Sequence, residues 1–253
     1  NPKERRNLGA HYTSETNILK LIKPLFLDEL WREFESIKDN KNRLPEFHKK
    51  LSTLKFLDPA CGCGNFLVIT YRELRLLELE ILRSLHKHGQ QVLDIESIIW
   101  LDVDMMHGIE YEEFPARIAE VAMWLIDHQM NMLISNEFGQ YFARLPLKKS
   151  AKIVHGNALQ TDWENVKKKN DLSFILGNPP FVGQQLQDTN QKADILKVFD
   201  RYEGSGVLDY VAAWYLLSAI FIQNTKIKVA FVSTNSICQG EQAGVLWNQL
   251  FSL

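Results

Sequence analysis

The chain has 253 residues, of which 45% are hydrophobic and 24% charged, room for one large α/β domain or two small ones. Its formal net charge of −2 excludes a domain that gathers nucleic acid by overall positive charge, so any contact with DNA is local or made elsewhere. Cys61, Cys63 and Cys238 are too few for a disulfide framework or a closed zinc site, and no run approaches the ~20 apolar residues of a membrane span. Neither a metal nor a membrane is expected.

In chain order, the first periodic stretch is 14–36. Ser14 can cap a helix there, Ile18, Leu21, Ile22, Leu25 and Leu30 recur at helical spacing, and Pro24 should kink it. A loop over 39–45 and a short helix to about Leu54 follow. Residues 1–54 thus read as an N-terminal helical segment and 55–253 as a catalytic core. A buried strand over 55–58 runs into a glycine-rich turn. A helix over 65–88 then carries Leu67, Leu74, Leu77, Ile81 and Leu85 on one stripe, with Gly89 as its stop. The pattern repeats with a strand over 107–111, a helix over 114–131, and strands over 152–155 and 173–177. A helix over 209–223 and a strand over 228–233 complete it. Alternation of this kind means an α/β fold, a parallel sheet with helices on both faces. Residues 184–206 are polar with a Gly204-x-Gly206 tip and read as a mobile loop. Lys148-Lys149 and Lys167 to Lys169 read as solvated surface. The chain opens at Asn1, and a helical pattern still runs at Leu253, as expected of a piece of a longer protein.

In such a sheet, ligands bind outside the C-terminal strand ends, and the distinctive residues fall there. The first strand ends in Asp58-Pro59-Ala60-Cys61-Gly62-Cys63-Gly64-Asn65-Phe66. Gly62 and Gly64 let the backbone approach a ligand closely, but Leu67 stands where a dinucleotide fingerprint wants a small residue. A carboxylate at Asp58 suits a cationic amino group better than a pyrophosphate. The second strand ends in Glu110-Tyr111, where an acidic side chain can accept both hydroxyls of a ribose; Asp102 and Asp104 are nearby rivals placed before the strand. The third runs into Asn157-Ala158-Leu159 and the fourth into Asn178-Pro179-Pro180-Phe181. Two acceptors, from the Asn178 side chain and the Pro179 carbonyl, would draw the hydrogens of a conjugated amine out of plane and free its lone pair. The prolines stiffen the loop and remove backbone donors. Phe181 can stack on a base turned out of a duplex.

The run from Asp58 to Phe66 resembles the first motif of amino-group DNA methyltransferases. That resemblance implies that Asp58 and the backbone from Ala60 through Cys61 and Gly62 to Gly64, with Asn65 and Phe66, hold the methionine part of S-adenosylmethionine. Glu110 and Tyr111 would take its ribose, and Asn157, Ala158 and Leu159 its adenine. Asn157 stands where related enzymes often carry Asp. A Tyr12-Thr13 element would close over the methionine end, with Asn178 at the junction of cofactor and substrate. The order of Tyr-Thr element, cofactor loop and Asn-Pro-Pro-Phe resembles gamma-type DNA adenine methyltransferases. The stretches 108–119 and 233–242 look like the methyltransferase segment of MmeI-like enzymes.

The implied fold is a Rossmann-like class I methyltransferase, with about five strands present and the last ones missing. The implied activity is methyl transfer to the N6 amino group of adenine in double-stranded DNA, within a prokaryotic, cytoplasmic restriction-modification system. DNA would be engaged through a target-recognition domain beyond Leu253. Two other readings remain. One is a methyltransferase of the same fold acting on an RNA base or a protein glutamine amide. The other is a non-catalytic cofactor-binding module of a restriction complex.

Overall fold

Five parallel strands form one sheet in the order β3-β2-β1-β4-β5. They are β1 (Phe56–Asp58), β2 (Met106–Glu110), β3 (Lys152–His155), β4 (Phe174–Gly177) and β5 (Lys228–Phe231). This is the α/β architecture expected from the alternation of patterns. The structure, a computed structural model, describes residues 13–88, 95–139, 150–200, 202 and 204–253.

Side chains along each strand alternate between two hydrophobic clusters. Phe56, Phe174 and Leu176 enter one, whereas Leu57, Ile109 and Ile175 enter the other. The first cluster is built with α1 (Glu15–Ile22), α2 (Asp28–Ile37), α3 (Arg43–Thr53), α4 (Asn65–Lys87) and α5 (Glu113–Phe138). The second is built with α6 (Thr189–Val198), α7 (Ala212–Phe221) and α8 (Glu241–Phe251). The strand order reverses on either side of β1. The crevice between the ends of β1 and β4 is therefore the topological switch point, where ligands of such sheets bind.

Several expectations change in detail. The stretch 14–36 is two α-helices joined by a π-helical turn, Lys23–Leu27, which takes up Pro24 and its missing N–H. Helix α3 starts at Arg43, inside the expected loop, because Pro45 lies in its first turn and no intrahelical donor is needed there. Helix α5 runs seven residues past Asn131 and ends at Gly139, which is left-handed.

The largest correction concerns 184–206. It contains α6, not a loop throughout. Asp188 and Gln191 form a reciprocal capping box at its start, and Ile195 and Phe199, four residues apart, are buried in the second cluster. Gly89, Tyr12, Lys148 and Lys149 lie outside the described residues. Lys167 pairs with Asp171 at 3.1 Å, in keeping with a surface role.

Candidate active site

The ends of β1 and β4 meet at a carboxylate. Asp58 is buried; its Oδ1 accepts from the Ala60 N–H at 3.0 Å, while Oδ2 is buried without a partner. Burial, with the Glu110 charge adding to it, pushes this carboxyl up to about 8. Gly177 of β4 lies directly against it. A Cβ there would come 2.4 Å from Oδ1, so only glycine allows the contact.

The loop after β1 is held from three sides. Cys61 N–H donates to the Ile109 carbonyl at 3.0 Å and Gly62 N–H to Glu110 Oε2 at 2.8 Å. From α7, Trp214 Nε1 donates to the Pro59 carbonyl at 3.1 Å. Gly64 is left-handed at φ +87° and sits against Ala119 of α5, so a side chain there would be both strained and crowded. Cys61 is buried beside Gly108 and Cys63 is exposed. Both are packing or surface residues of the turn.

At the end of β2, Glu110 uses both carboxylate oxygens on backbone: Oε2 on Gly62 and Oε1 on the Glu112 N–H at 2.9 Å. Each oxygen retains a second lone-pair direction for a hydroxyl donor, and burial raises the pKa of the group. Tyr111 beside it is exposed. At the end of β3, Asn157 Oδ1 accepts from the Leu159 N–H at 2.9 Å, and Nδ2 donates to Asp194 Oδ2 at 2.9 Å. Asn65 starts α4, whereas the side chains of Phe66, Ala158 and Leu159 are buried in the clusters. The last three can offer a ligand only backbone.

At the end of β4, Asn178 Nδ2 donates to Thr13 Oγ1 at 2.8 Å, and Oδ1 is buried without a partner. Thr13 stands two residues before α1, so the N-terminal segment reaches the strand ends. Pro179 is buried, and Pro180 and Phe181 are partly so. The loop is braced from below: the Val182 carbonyl accepts from Tyr210 N–H at 2.9 Å. Asp209 alongside exchanges two hydrogen bonds with Gln242 and accepts a third from Ser236. The stretch 233–242 thus packs beside the loop after β4.

Sequence reasoning named Asp58, Glu110, Asn157, Asn178 and Thr13, and the structure places all five at one edge of the sheet. It missed Asp194, Trp214 and the Thr13–Asn178 contact. The capping pattern Asp188-x-x-Gln191 was the available signal for the helix that carries Asp194. Among the described residues, no cluster of His, Cys, Asp or Glu could hold a metal, and no helix is long and apolar enough to cross a membrane.

A parallel sheet in this order, with an acidic residue closing β1 against a glycine of β4, is a Rossmann-like methyltransferase fold. Residues 34–253 match the family described as MmeI, DNA-methyltransferase domain, and the chain belongs to that family. The chain is 65% identical to the solved type IIL restriction-modification enzyme MmeI in complex with DNA, with a TM-score of 0.96, covering 100% of this chain and 34% of that one. It is 40% identical over 250 residues to DNA methyltransferase A of Bacillus subtilis (strain 168), covering 98% of this chain and 28% of the relative. The DrdV–DNA complex shares the fold at a TM-score of 0.54 and 16% identity, over 98% of this chain and 23% of that one. The chain therefore spans about a third of the MmeI chain and less of the curated relative.

Proposed function

We propose that this chain carries the methyl-transfer step of a restriction-modification enzyme, from S-adenosylmethionine to the N6 amino group of adenine in double-stranded DNA. The observation that carries this reading is Asn178: a partly buried amide with its Nδ2 occupied and its Oδ1 buried without a partner, one residue past the Gly177 that packs on Asp58, whose Oδ2 is equally unpartnered. Buried polar atoms are nearly always satisfied, and exceptions mark places where another group belongs. Family membership and relatives described as acting on or bound to DNA support DNA as the substrate.

The residues present fit the cofactor. A cationic amino group would satisfy Asp58 Oδ2 and reverse the burial cost of its charge. The backbone of Ala60 to Gly64 would flank the methionine part, with Asn65, Phe66 and Thr13 nearby. Glu110 and Tyr111 would take the ribose, and Asn157 with the 158–159 backbone the adenine. Bound there, S-adenosylmethionine supplies an electrophilic methyl group on a sulfonium centre.

The chain's own contribution is orientation and electrostatics. Asn178 Oδ1 and the Pro179 carbonyl accept the two amine hydrogens, which favours a pyramidal nitrogen with its lone pair directed at the methyl. S-adenosylmethionine held there would supply the methyl group and leave as S-adenosylhomocysteine, and the alkylated nitrogen, made acidic, would give its proton to water. No histidine base is required. Phe181 offers a π-face to the extruded base. Residues 55–253 supply this machinery and 1–54 contribute Thr13; recognition of the DNA sequence belongs to other parts of a longer polypeptide.

The test is Asn178→Ala in the full-length protein with its cognate DNA. Turnover should fall about 10²–10³-fold, as when one preorganised transition-state contact is lost, with cofactor affinity nearly unchanged. Mass analysis of the digested product reports N6-methyladenine. Near-normal turnover in the variant, or a methyl group on another atom in the parent, would overturn the proposal.

A further inference from the structure

Asn157 raises a question of polarity. A neutral amide can face a ligand with its oxygen or its NH2 group. The two faces prefer opposite ligands, so an asparagine specifies nothing unless something fixes its orientation. In this chain something does. Its Oδ1 is engaged by the Leu159 N–H, which can only donate, and its Nδ2 by Asp194, which as a carboxylate can only accept. Turned over, the amide would set NH2 against N–H and oxygen against carboxylate, two repulsive contacts in place of two favourable ones.

We infer that Asp194 is a specificity-determining residue, which fixes the Asn157 amide so that it presents an acceptor to the 6-amino group of the cofactor's adenine. This rests on the cofactor reading above and says how that site tells adenine from a 6-oxo purine. Asp194 is buried at 5% exposure. Gln160 Nε2 donates to its Oδ1 at 2.8 Å and the Tyr210 hydroxyl to its Oδ2 at 2.7 Å. Its contacts are thus all from neutral donors, on the loops after β3 and before α7. The residue stands on a rigid element: the capping box sets the start of α6, and neighbouring Ile195 is packed in the core. A hydrogen bond from an amide to a carboxylate is stronger than one between neutral groups, which suits it to locking a rotamer. Oδ1 of Asn157 keeps one lone pair beyond the Leu159 contact. The negative charge of Asp194 thus stands behind the amide that faces the ligand site.

The experiment is calorimetry on the full-length protein with S-adenosylhomocysteine and its analogue S-inosylhomocysteine, which differ in a 6-amino or 6-oxo group and in the N1 proton that accompanies the oxo form. The parent should favour the amino ligand by about 10–100-fold, the scale of one buried hydrogen bond made or left unpaired. Asp194→Asn should cut that preference to about threefold or less, because two facing amides can turn over together. Tyr210→Phe, which leaves the Asp194–Asn157 contact in place, should keep it. Should Asp194→Asn fail to fold, the reciprocal pair decides. Asn157→Asp alone sets two carboxylates together and should lose affinity for the adenosyl ligand, and adding Asp194→Asn should recover it to within about threefold. Parent-like preference in Asp194→Asn, no recovery in the double variant, or equal binding of both ligands by the parent would overturn this inference alone. A parent that binds neither ligand would overturn the cofactor reading and this inference with it.

Discussion

Two sets of buried polar groups lie within the same domain and differ in one respect. Beneath α4 and α5, Arg75 is fully buried, and protein groups surround it. Its Nε lies 2.9 Å from Glu78 Oε2 as an ion pair that lacks the alignment of a hydrogen bond, Nη1 reaches Tyr71 and Asp127, and Nη2 reaches Asn131. Glu78 in turn meets His48 Nε2 at 2.7 Å and accepts from the Trp100 and Leu101 N–H groups. At the strand ends, Asp58 Oδ2 and Asn178 Oδ1 are just as inaccessible and have no partner. A charge closed within the protein is part of what defines the fold, whereas buried polar atoms left open are a site awaiting a ligand.

The sharpest break of that comparison is to open the closed network. Arg75→Met removes the cation and leaves Asp127 and Glu78 buried beside an apolar chain. Breaking a buried ion pair by removing one partner costs about 3–5 kcal/mol, read as a lowered urea midpoint. Asn178→Ala should do the reverse, leaving the midpoint nearly unmoved while turnover falls about 10²–10³-fold. Equal destabilisation by both variants would erase the distinction between closed and open groups.

The pH dependence of ligand binding sharpens the same contrast. The Asp58 carboxyl sits at about 8 in the folded protein, against 3.8 ordinarily. A raised carboxyl means that the folded state holds its proton longer than the unfolded chain. Its contribution to stability is therefore fully present below about pH 4 and is lost as pH rises toward about 8. A ligand ammonium group favours the carboxylate, so binding below about pH 8, where the free carboxyl holds its proton, must release it. Affinity for S-adenosylhomocysteine should rise with pH, by up to about tenfold per unit between roughly pH 6 and 7.5. Titrations in buffers of different ionisation enthalpy would count the proton released. Asp58→Asn should flatten the profile, and a profile that stayed steep in that variant would assign the proton to another group.

The open groups were easier to read from the sequence than the closed ones. Asp58, Glu110, Asn157 and Asn178 each stand at or just past the end of a strand, and a parallel sheet puts all such positions on one edge. The Thr13–Asn178 contact joins residues 165 positions apart, and no local pattern reports which side chains meet at that distance. Arg75 looks like an ordinary charge within a 3.6-residue periodicity; only the arrival of α5 and α3 over it makes it interior. Polarity misled the reading of 184–206, because the helix there buries little beyond Ile195 and Phe199 and leaves Leu196 exposed. The stretch is sparse in apolar residues, and its helix is announced instead by the capping residues Asp188 and Gln191 at its start.

That helix provides the smallest test. Asp188 is exposed, yet it accepts from the Gln191 N–H at 2.8 Å, and its own N–H donates to Gln191 Oε1 at 3.1 Å. Two of the donors left over at the helix start are satisfied reciprocally. Asp188→Ala should cost about 1 kcal/mol of local stability, with little change in the global melt, because the cores on both faces of the sheet stay intact. Amide exchange should report it: protection across residues 192–199 should fall about fivefold, if those amides open as one unit. Asp188→Asn should keep most of that protection, since an asparagine caps nearly as well. The fall should reach the ligand only weakly, as a slight loss of preference for the adenosyl analogue, because Asp194 stays paired whenever α6 is formed. Exchange unchanged in Asp188→Ala would mean that packing alone holds α6, and that the capping box adds nothing to the platform behind Asn157.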